Sequence, residues 1–304
     1  MNSALFLESP SVSSDIGIPS ISIGMPVYNG EHFLSGALDS ILKQTYDNFE
    51  LIISDNASTD KTEEICRKYA ANDQRVKYFR QPHNIGAVEN FVFVLEQAKS
   101  KYFMWAAADD KKSYDFLEKN LEFLNSNPDY VASTSPTHFH GSNFNELTMG
   151  DGTLDDDCSG KRIKNFYNGW HANARFYSLI RRAELIQFPF KARGYLGSDW
   201  TWVIYLAKQG KLKRLDTGSV ELGIGGESNS RGIFKNSRNG ITSWFIPFYD
   251  LSRDTLFLLR GESLRIYCSV CLSLVRLNFT AIKLQALYFL LDTNFYKYYK
   301  QLKS

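Results

Sequence analysis

Asp109 and Asp110 close the run Tyr102-Phe-Met-Trp-Ala-Ala-Ala108, which is otherwise apolar and aromatic. Such a run reads as a strand buried on both faces. Two carboxylates at its carboxyl end are poor packing groups. They suit a cation or a ligand, because ligands of open α/β sheets bind beyond the carboxyl ends of the strands. Capping the next helix is the alternative role for both. Asn29 follows the apolar run Ile21–Val27, Asp55 follows Phe49–Ile53, and Asn84 follows Val76–Phe79. A carboxylate such as Asp55 accepts hydrogen bonds, so it suits the N–H of a base or ribose hydroxyls. Asp109 suits a divalent cation with oxygen ligands, which would neutralise a diphosphate. Asp199 follows Gly194-Tyr-Leu-Gly-Ser198 and precedes the apolar stretch Trp200–Ala207. That places it at a helix N-terminus, where an acid also caps and complements the dipole.

The segments between these groups are those that would position them. Phe33, Leu34, Ala37, Leu38, Ile41 and Leu42 form one helical stripe within Glu31–Tyr46. Helices are also expected from Lys61 to about Ala71, over Ala87–Ala98 and over Ser113–Asn125, and a strand over Tyr130–Thr134. Strands alternating with helices make a parallel sheet with right-handed crossovers. Asn29, Asp55, Asn84 and Asp109 each follow a strand, so they share one edge of that sheet. The sequence has no GxGxxG and no GxxxxGK[ST], which removes the dinucleotide fingerprint and the phosphate-cradling loop. Acids and amides at a common edge describe a site for a nucleoside diphosphate derivative with a metal on its phosphates.

Composition narrows the class. With 304 residues, 43% of them hydrophobic, the chain can bury a substantial core. A formal net charge of +2, with no basic block among aromatics in the first 200 residues, does not announce a nucleic-acid binder, and none is expected as a partner. The cysteines at 66, 158, 268 and 271 are too few for a disulfide scaffold. Cys268 and Cys271, one turn apart in a helical pattern, read as core fillers. The first twenty residues resemble no secretory signal, and no twenty-residue stretch is free of charge, so a cytoplasmic protein without a transmembrane helix is expected.

Pro26-Val-Tyr-Asn-Gly30, Ser40-Ile-Leu-Lys-Gln44, Asp55-Asn-Ala-Ser-Thr-Asp60, Asn84-Ile-Gly86 with Asn90, and Ala108-Asp-Asp110 together resemble glycosyltransferase family 2, inverting enzymes of the GT-A fold. The likeness runs from residue 20 to about 230. It implies a Rossmann-like, mostly parallel α/β sheet flanked by helices. The expected organisation is an N-terminal tail at 1–19, the GT-A domain at 20–232 and a C-terminal helical appendage at 233–304. By resemblance, Pro26, Tyr28 and Asp55 line the nucleoside pocket, with Asp55 reading a uracil- or thymine-type base. Asn29, Asn84 and Gly86 lie beside the nucleotide. Asp109 is the last acid of the D-x-D signature, which binds magnesium or manganese and the donor diphosphate. Here the chain departs from the pattern, because Ala107 replaces the first acid. Asp199 matches the catalytic base, and Ser228 and Arg231 match a loop that touches donor phosphates.

Past the acids, Gly141–Gly160, with Asp151 and Asp155-Asp156-Asp157, reads as a solvated acidic loop, or as a flap over the site. His138, His140 and His171 read as half-buried polar groups. Ala174–Arg182 reads as a strand passing into a helix, and Lys211–Gly223 as a final strand region. The C-terminal region reads as helices. Trp244, Phe245, Phe248, Leu251, Leu256 and Leu259 pack one stretch; Leu264–Leu277 and Ile282–Leu290 form two more. Lys297, Lys300 and Lys303 follow among tyrosines. Packing on the sheet domain is the simpler role for this region; peripheral contact with anionic lipid is the other. The expected function is transfer of a sugar from a UDP- or dTDP-type donor to a hydroxyl of a glycan or lipid-linked glycan acceptor in bacterial surface-polysaccharide synthesis. A non-catalytic nucleotide-sugar-binding protein and a nucleotidyltransferase are the alternatives.

Overall fold

The computed structural model describes residues 19–141, 146–168, 172–189, 194–223 and 240–292. Four strands open the chain: β1 (Ile21–Val27), β2 (Phe49–Asp55), β3 (Val76–Arg80) and β4 (Tyr102–Trp105). Helices α1 (Leu34–Leu42), α2 (Thr62–Asn72) and α3 (Ala87–Gln97) connect them. β1 lies inside the sheet, between β2 and β4, and all seven of its residues are buried. Ile21, Ile23, Met25 and Val27 enter a core with Leu34, Leu38 and Ile41 of α1. On the opposite face of the sheet, Ile52, Phe103 and Trp105 pack with Val94 and Leu95 of α3. Strands covered on both faces have no polar side to show, hence the nearly unbroken apolar runs.

Then come β5 (Lys111–Lys112), α4 (Phe116–Ser126), β6 (Tyr130–Thr134), β7 (Thr137–Phe139), α5 (Glu146–Met149) and α6 (Ser159–Phe166). A 3-10 turn over Ala174–Tyr177 leads into β8 (Leu179–Arg181), α7 (Arg182–Leu185), α8 (Ser198–Gln209), β9 (Lys211–Arg214) and β10 (Val220–Leu222). The main sheet has the order β3-β2-β1-β4-β8-β6-β9, and a small sheet has β5-β10-β7. β8 runs antiparallel to both β4 and β6, and the remaining main-sheet pairs are parallel. This is the mostly parallel α/β sheet that the sequence implies. The chain ends in α9 (Thr242–Phe245), α10 (Tyr249–Leu258) and α11 (Leu264–Asp292).

Several expectations are corrected. Asp151 is not a solvated loop acid: it is buried, accepting from the Thr137 N–H at 2.8 Å and from Arg214 Nε at 3.2 Å. The stretch around it holds α5 and α6 rather than one long loop. Cys268 is exposed on the outward side of α11 and is no core filler. Trp244 and Phe245 are exposed as well. The two stretches expected at Leu264–Leu277 and Ile282–Leu290 are one helix, and Asn278 between them faces inward. Its Oδ1 accepts the Phe248 N–H at 2.8 Å and its Nδ2 donates to Ser252 Oγ. Leu264–Leu287 has the length and mean hydropathy, 1.3, of a candidate membrane-crossing segment by composition alone. The expected strand at Ala174 starts instead as the 3-10 turn, and Lys211–Gly223 splits between the two sheets. His138 and His140 both face Glu221, His140 Nδ1 at 2.8 Å. The domain boundary expected at 232–233, the N-terminal tail up to residue 18, His171, Ser228, Arg231 and the lysines of the tail lie outside the described residues.

Candidate active site

The loops that follow β1, β2 and β3 are laced together by their own polar side chains. Asn29 has φ 51°, a backbone form that asparagine tolerates better than most residues. Its Oδ1 accepts the Thr59 N–H at 2.9 Å, and its own N–H donates to Ser58 Oγ at 2.9 Å. Thr62 Oγ1 accepts the Gly30 N–H, and Asp60 Oδ2 accepts the Glu31 N–H. Asn56 reaches the third loop, donating to Asn84 Oδ1 at 3.0 Å and accepting the Ile85 N–H at 2.8 Å. Asn90 is internal, exchanging hydrogen bonds with Ser54. Gln44 is a staple: it donates to the Ser113 carbonyl and accepts the Leu117 N–H, tying α1 to the start of α4. Asn29, Asp55, Asn84 and Gly86 therefore stand at one edge of the sheet.

Asp55 is fully buried at the end of β2. Its Oδ1 accepts the Ser58 N–H at 2.8 Å; its Oδ2 accepts Tyr78 Oη at 2.9 Å and Arg80 Nη1 at 2.6 Å. Burial and the neighbouring carboxylate hold the Tyr78 phenol protonated, so it remains a donor. Pro26 is buried within β1, opposite Ser54, whereas Tyr28 is half exposed at the rim. The β1 ladder pairs Val27 with Asp55 on one side and Gly24 with Trp105 on the other. Two strand spacings thus separate the Asp55 ladder from that of β4, about 10 Å.

Asp109 sits just past the end of β4, packed on Gly223, the residue after β10. A Cβ on Gly223 would fall 2.3 Å from Asp109 Oδ2 and 2.6 Å from its Cβ, so only glycine leaves the acid in place. The Gly223 N–H donates to Asp110 Oδ1 at 3.0 Å. Asp110 Oδ2 is buried without a hydrogen-bond partner. Burial pushes the Asp110 carboxyl up to about 6, with buried Lys112 opposing the rise.

Asp199 lies in the first turn of α8, as expected. Gly197 precedes it with φ 83°, a left-handed turn that aims the helix start. Burial raises the Asp199 carboxyl; Asn173 Nδ2, donating at 2.9 Å, and backbone N–H groups of the helix start oppose this. Asn173 begins the 3-10 turn, and Phe176 in that turn stacks on Trp105 with centroids 4.4 Å apart and planes at 7°. Tyr177 ends it. Burial chiefly, then the fields of Asp110, Asp199 and Asp109, keep its phenol protonated. The 3-10 turn thus joins the two acidic segments: Asn173 at its start holds Asp199, and Phe176 within it stacks on Trp105, four residues before Asp109.

Arg80, Tyr78, Asn173, Tyr177, Lys112 and Gly223 belong to this site and were not singled out by sequence. Arg80 and Tyr78 sit at the end of a recognised strand. Spacing alone does not show that side chains from β3 would turn back onto β2.

Among the described residues, no three His, Cys, Asp or Glu side chains gather to hold a metal. A single carboxylate fits a cation that keeps phosphate oxygens and waters as its other ligands, the mode magnesium favours. Asp109 offers that. A separate groove of about 410 Å³ between α1 and α2 lies among helices rather than at the strand ends.

The family model for glycosyl transferase family 2 matches residues 22–188, more than half of the chain. The chain belongs to that family. An uncharacterized glycosyltransferase of Haemophilus influenzae is 42% identical over 109 residues, covering 36% of this chain and 44% of its own. The putative teichuronic acid biosynthesis glycosyltransferase TuaG of Bacillus subtilis is 35% identical over 106 residues, covering 35% and 42%. The match thus spans less than half of these family members. S. aureus TarS 1-349 in complex with UDP-GlcNAc has a TM-score of 0.62 at 18% identity, covering 80% of this chain and 68% of that one. The mannosyltransferase PcManGT from Pyrobaculum calidifontis, in complex with GDP-Man and Mn2+, has 0.55 at 16%, covering 90% and 85%. At such identity these structures speak for the shared GT-A fold.

Proposed function

We propose that the protein is an inverting glycosyltransferase that moves a sugar from a nucleoside-diphosphate-sugar to an acceptor hydroxyl by single displacement. The observation that carries this reading is the 3-10 turn that ties Asp199, through Asn173, to β4, the strand that leads to Asp109, beside the laced loops of Asn29, Asp55 and Asn84. The donor is of the UDP or dTDP type. Its base lies by Tyr28, with Asp55, held by Ser58, Tyr78 and Arg80, assigned to reading the base. Pro26 backs that pocket, Asn29, Asn84 and Gly86 flank the nucleotide, and by family resemblance Ser228 and Arg231 are assigned to the phosphates. Asp109, with phosphate oxygens, would hold a magnesium or manganese ion, which neutralises charge on the diphosphate when bound.

Asp199 is the general base. The acceptor hydroxyl donates its hydrogen bond to the carboxylate; as its oxygen bonds to the anomeric carbon, the proton passes to Asp199 and the bond to the diphosphate oxygen breaks. Attack from the opposite face inverts the configuration. The Tyr177 phenol stays a donor near the acids, and burial makes Asp199 a stronger proton acceptor than an exposed carboxylate. The acceptor is a glycan or lipid-linked glycan of a bacterial surface polysaccharide. TuaG, a relative named for teichuronic acid biosynthesis, supports that class. The enzyme would work at the cytoplasmic face of the membrane, in peripheral contact through its C-terminal helices.

Asp199→Asn tests the assignment. It is expected to lower kcat by about 10²–10⁴-fold while donor affinity, measured by calorimetry, is unchanged. Full turnover in that variant would remove Asp199 from its role. Release of pyrophosphate instead of nucleoside diphosphate would point to a nucleotidyltransferase. Donor binding with no product from any acceptor would leave a binding protein.

A further inference from the structure

Helix α11 carries two apolar stripes on opposite sides. Val270, Leu274, Leu277 and Ala281 are buried, and the helix packs on α6 and α10. Leu264, Leu272, Val275, Phe279 and Ile282 face out, Val275 at 65% and Phe279 at 59% exposure. At 3.6 residues per turn the outward stripe centres about 140° from the buried one and runs about 30 Å along the helix. Arg265, Arg276 and Lys283 fall in a single row along one margin of that outward stripe, all exposed. The Lys283 ammonium lies 4.4 Å from the centroid of the Phe279 ring.

Among the described residues, no carboxylate pairs with these cations. Residues 264–287 contain no Asp or Glu. Nearby acids are engaged elsewhere: Asp250 and Asp254 with Arg253, and Glu262 with Lys208 and Ser159. A second copy packed along 264–287 would bury the apolar stripe but bring three more cations and no carboxylate from that stretch. A membrane-crossing path would strip the packed stripe from its partners and put the cations in hydrocarbon. An anionic bilayer surface meets both halves of the pattern, taking apolar side chains below the headgroups and cations among them.

We propose that α11 lies along an anionic phospholipid bilayer, with Leu272, Val275 and Phe279 in the interface and Arg265, Arg276 and Lys283 at the headgroup phosphates. This deepens the transferase reading by naming the surface where a lipid-linked acceptor would be met, and rests on that reading for this alone.

The test is co-sedimentation of the full chain with vesicles of phosphatidylcholine, with and without phosphatidylglycerol. Binding is expected only to the anionic vesicles, and weaker at high salt. The triple variant Arg265→Glu, Arg276→Glu, Lys283→Glu should lose affinity on the order of 100-fold. Leu272→Ser with Phe279→Ser, which leaves charge untouched, should also lose binding. Wild-type circular dichroism in both variants establishes that they fold. Asp199→Asn, silent in turnover, should bind vesicles as wild type does, so this outcome is independent of the chemistry. Equal binding to neutral vesicles would overturn the proposal, as would an unaffected triple variant. A dimer that Leu272→Ser with Phe279→Ser dissociates, in a protein that ignores vesicles, would assign the stripe to a second copy.

Discussion

Opposing influences act on the Asp199 carboxylate. Burial raises its pKa, while the Asn173 amide and the helix N–H groups lower it. A base must be deprotonated to work, so kcat/KM falls as pH drops through that pKa, and burial puts this acid limb above the ordinary carboxylate range. Asn173→Ala removes a hydrogen bond to the charged form. The limb should then move to higher pH, by roughly one unit, with the plateau rate at high pH retained. A pH–rate profile of the two proteins checks this, and a limb that stays put would mean that Asn173 does not tune the base. Asp199 was legible in the sequence because glycines and serine before an acid mark a helix start. Asn173 was not, because the bond joins residues 26 positions apart with no periodic pattern between them. The same holds for Gly223, whose need for a bare Cα arises from Asp109, a residue far upstream.

At the scale of elements, the 3-10 turn holds the two halves of the site together. Phe176 fixes it by stacking on Trp105 and also lies 5.6 Å, centroid to centroid, from Phe91 of α3. Aromatic pairs of this kind contribute about 0.5–1.5 kcal/mol beyond the area they bury. Phe176→Ala should therefore lower stability by about 3–5 kcal/mol, seen as a reduced Tm, and reduce kcat more than it weakens donor binding, because Asn173 and Tyr177 ride on that turn. Equal losses in both would show that the turn serves the whole fold instead. The alternating strands and helices before residue 110 were legible because their apolar runs are long and their turns polar. The 3-10 turn was not, since Ala174-Arg-Phe-Tyr177 is too short to show a period. The single long helix was hidden for another reason: Asn278, a weak helix former by propensity, spends its side chain on the start of α10.

Across the whole molecule, one apolar cluster passes from the sheet into the C-terminal helices. Trp200 and Val203 of α8 share it with Leu251 of α10 and Val270 of α11, and Trp200 stacks on Phe248 at 5.7 Å. The helix that carries Asp199 thus leans on the C-terminal helices. Removal of residues 240–304 should leave α8 with a bare apolar flank, so the shortened chain is expected to aggregate or melt far below the full chain in calorimetry, and to lose turnover. A shortened chain that melts normally and turns over would show the C-terminal helices to be dispensable.

The reversed strand in the main sheet has a further consequence. A strand running backward enters where its neighbours leave, so the segment just before β8 arrives at the ledge by the opposite route from Asp55 and Asp109. Asn173 and Tyr177, on the acceptor side in the proposed reading, hang from this incoming segment, and the residues proposed for the nucleotide hang from the outgoing ends of β1, β2 and β4. Lengthening or exchanging the stretch ahead of β8 would reshape one wall of the cleft without touching the ladder behind the other, a natural place to graft a new acceptor preference onto an unchanged donor.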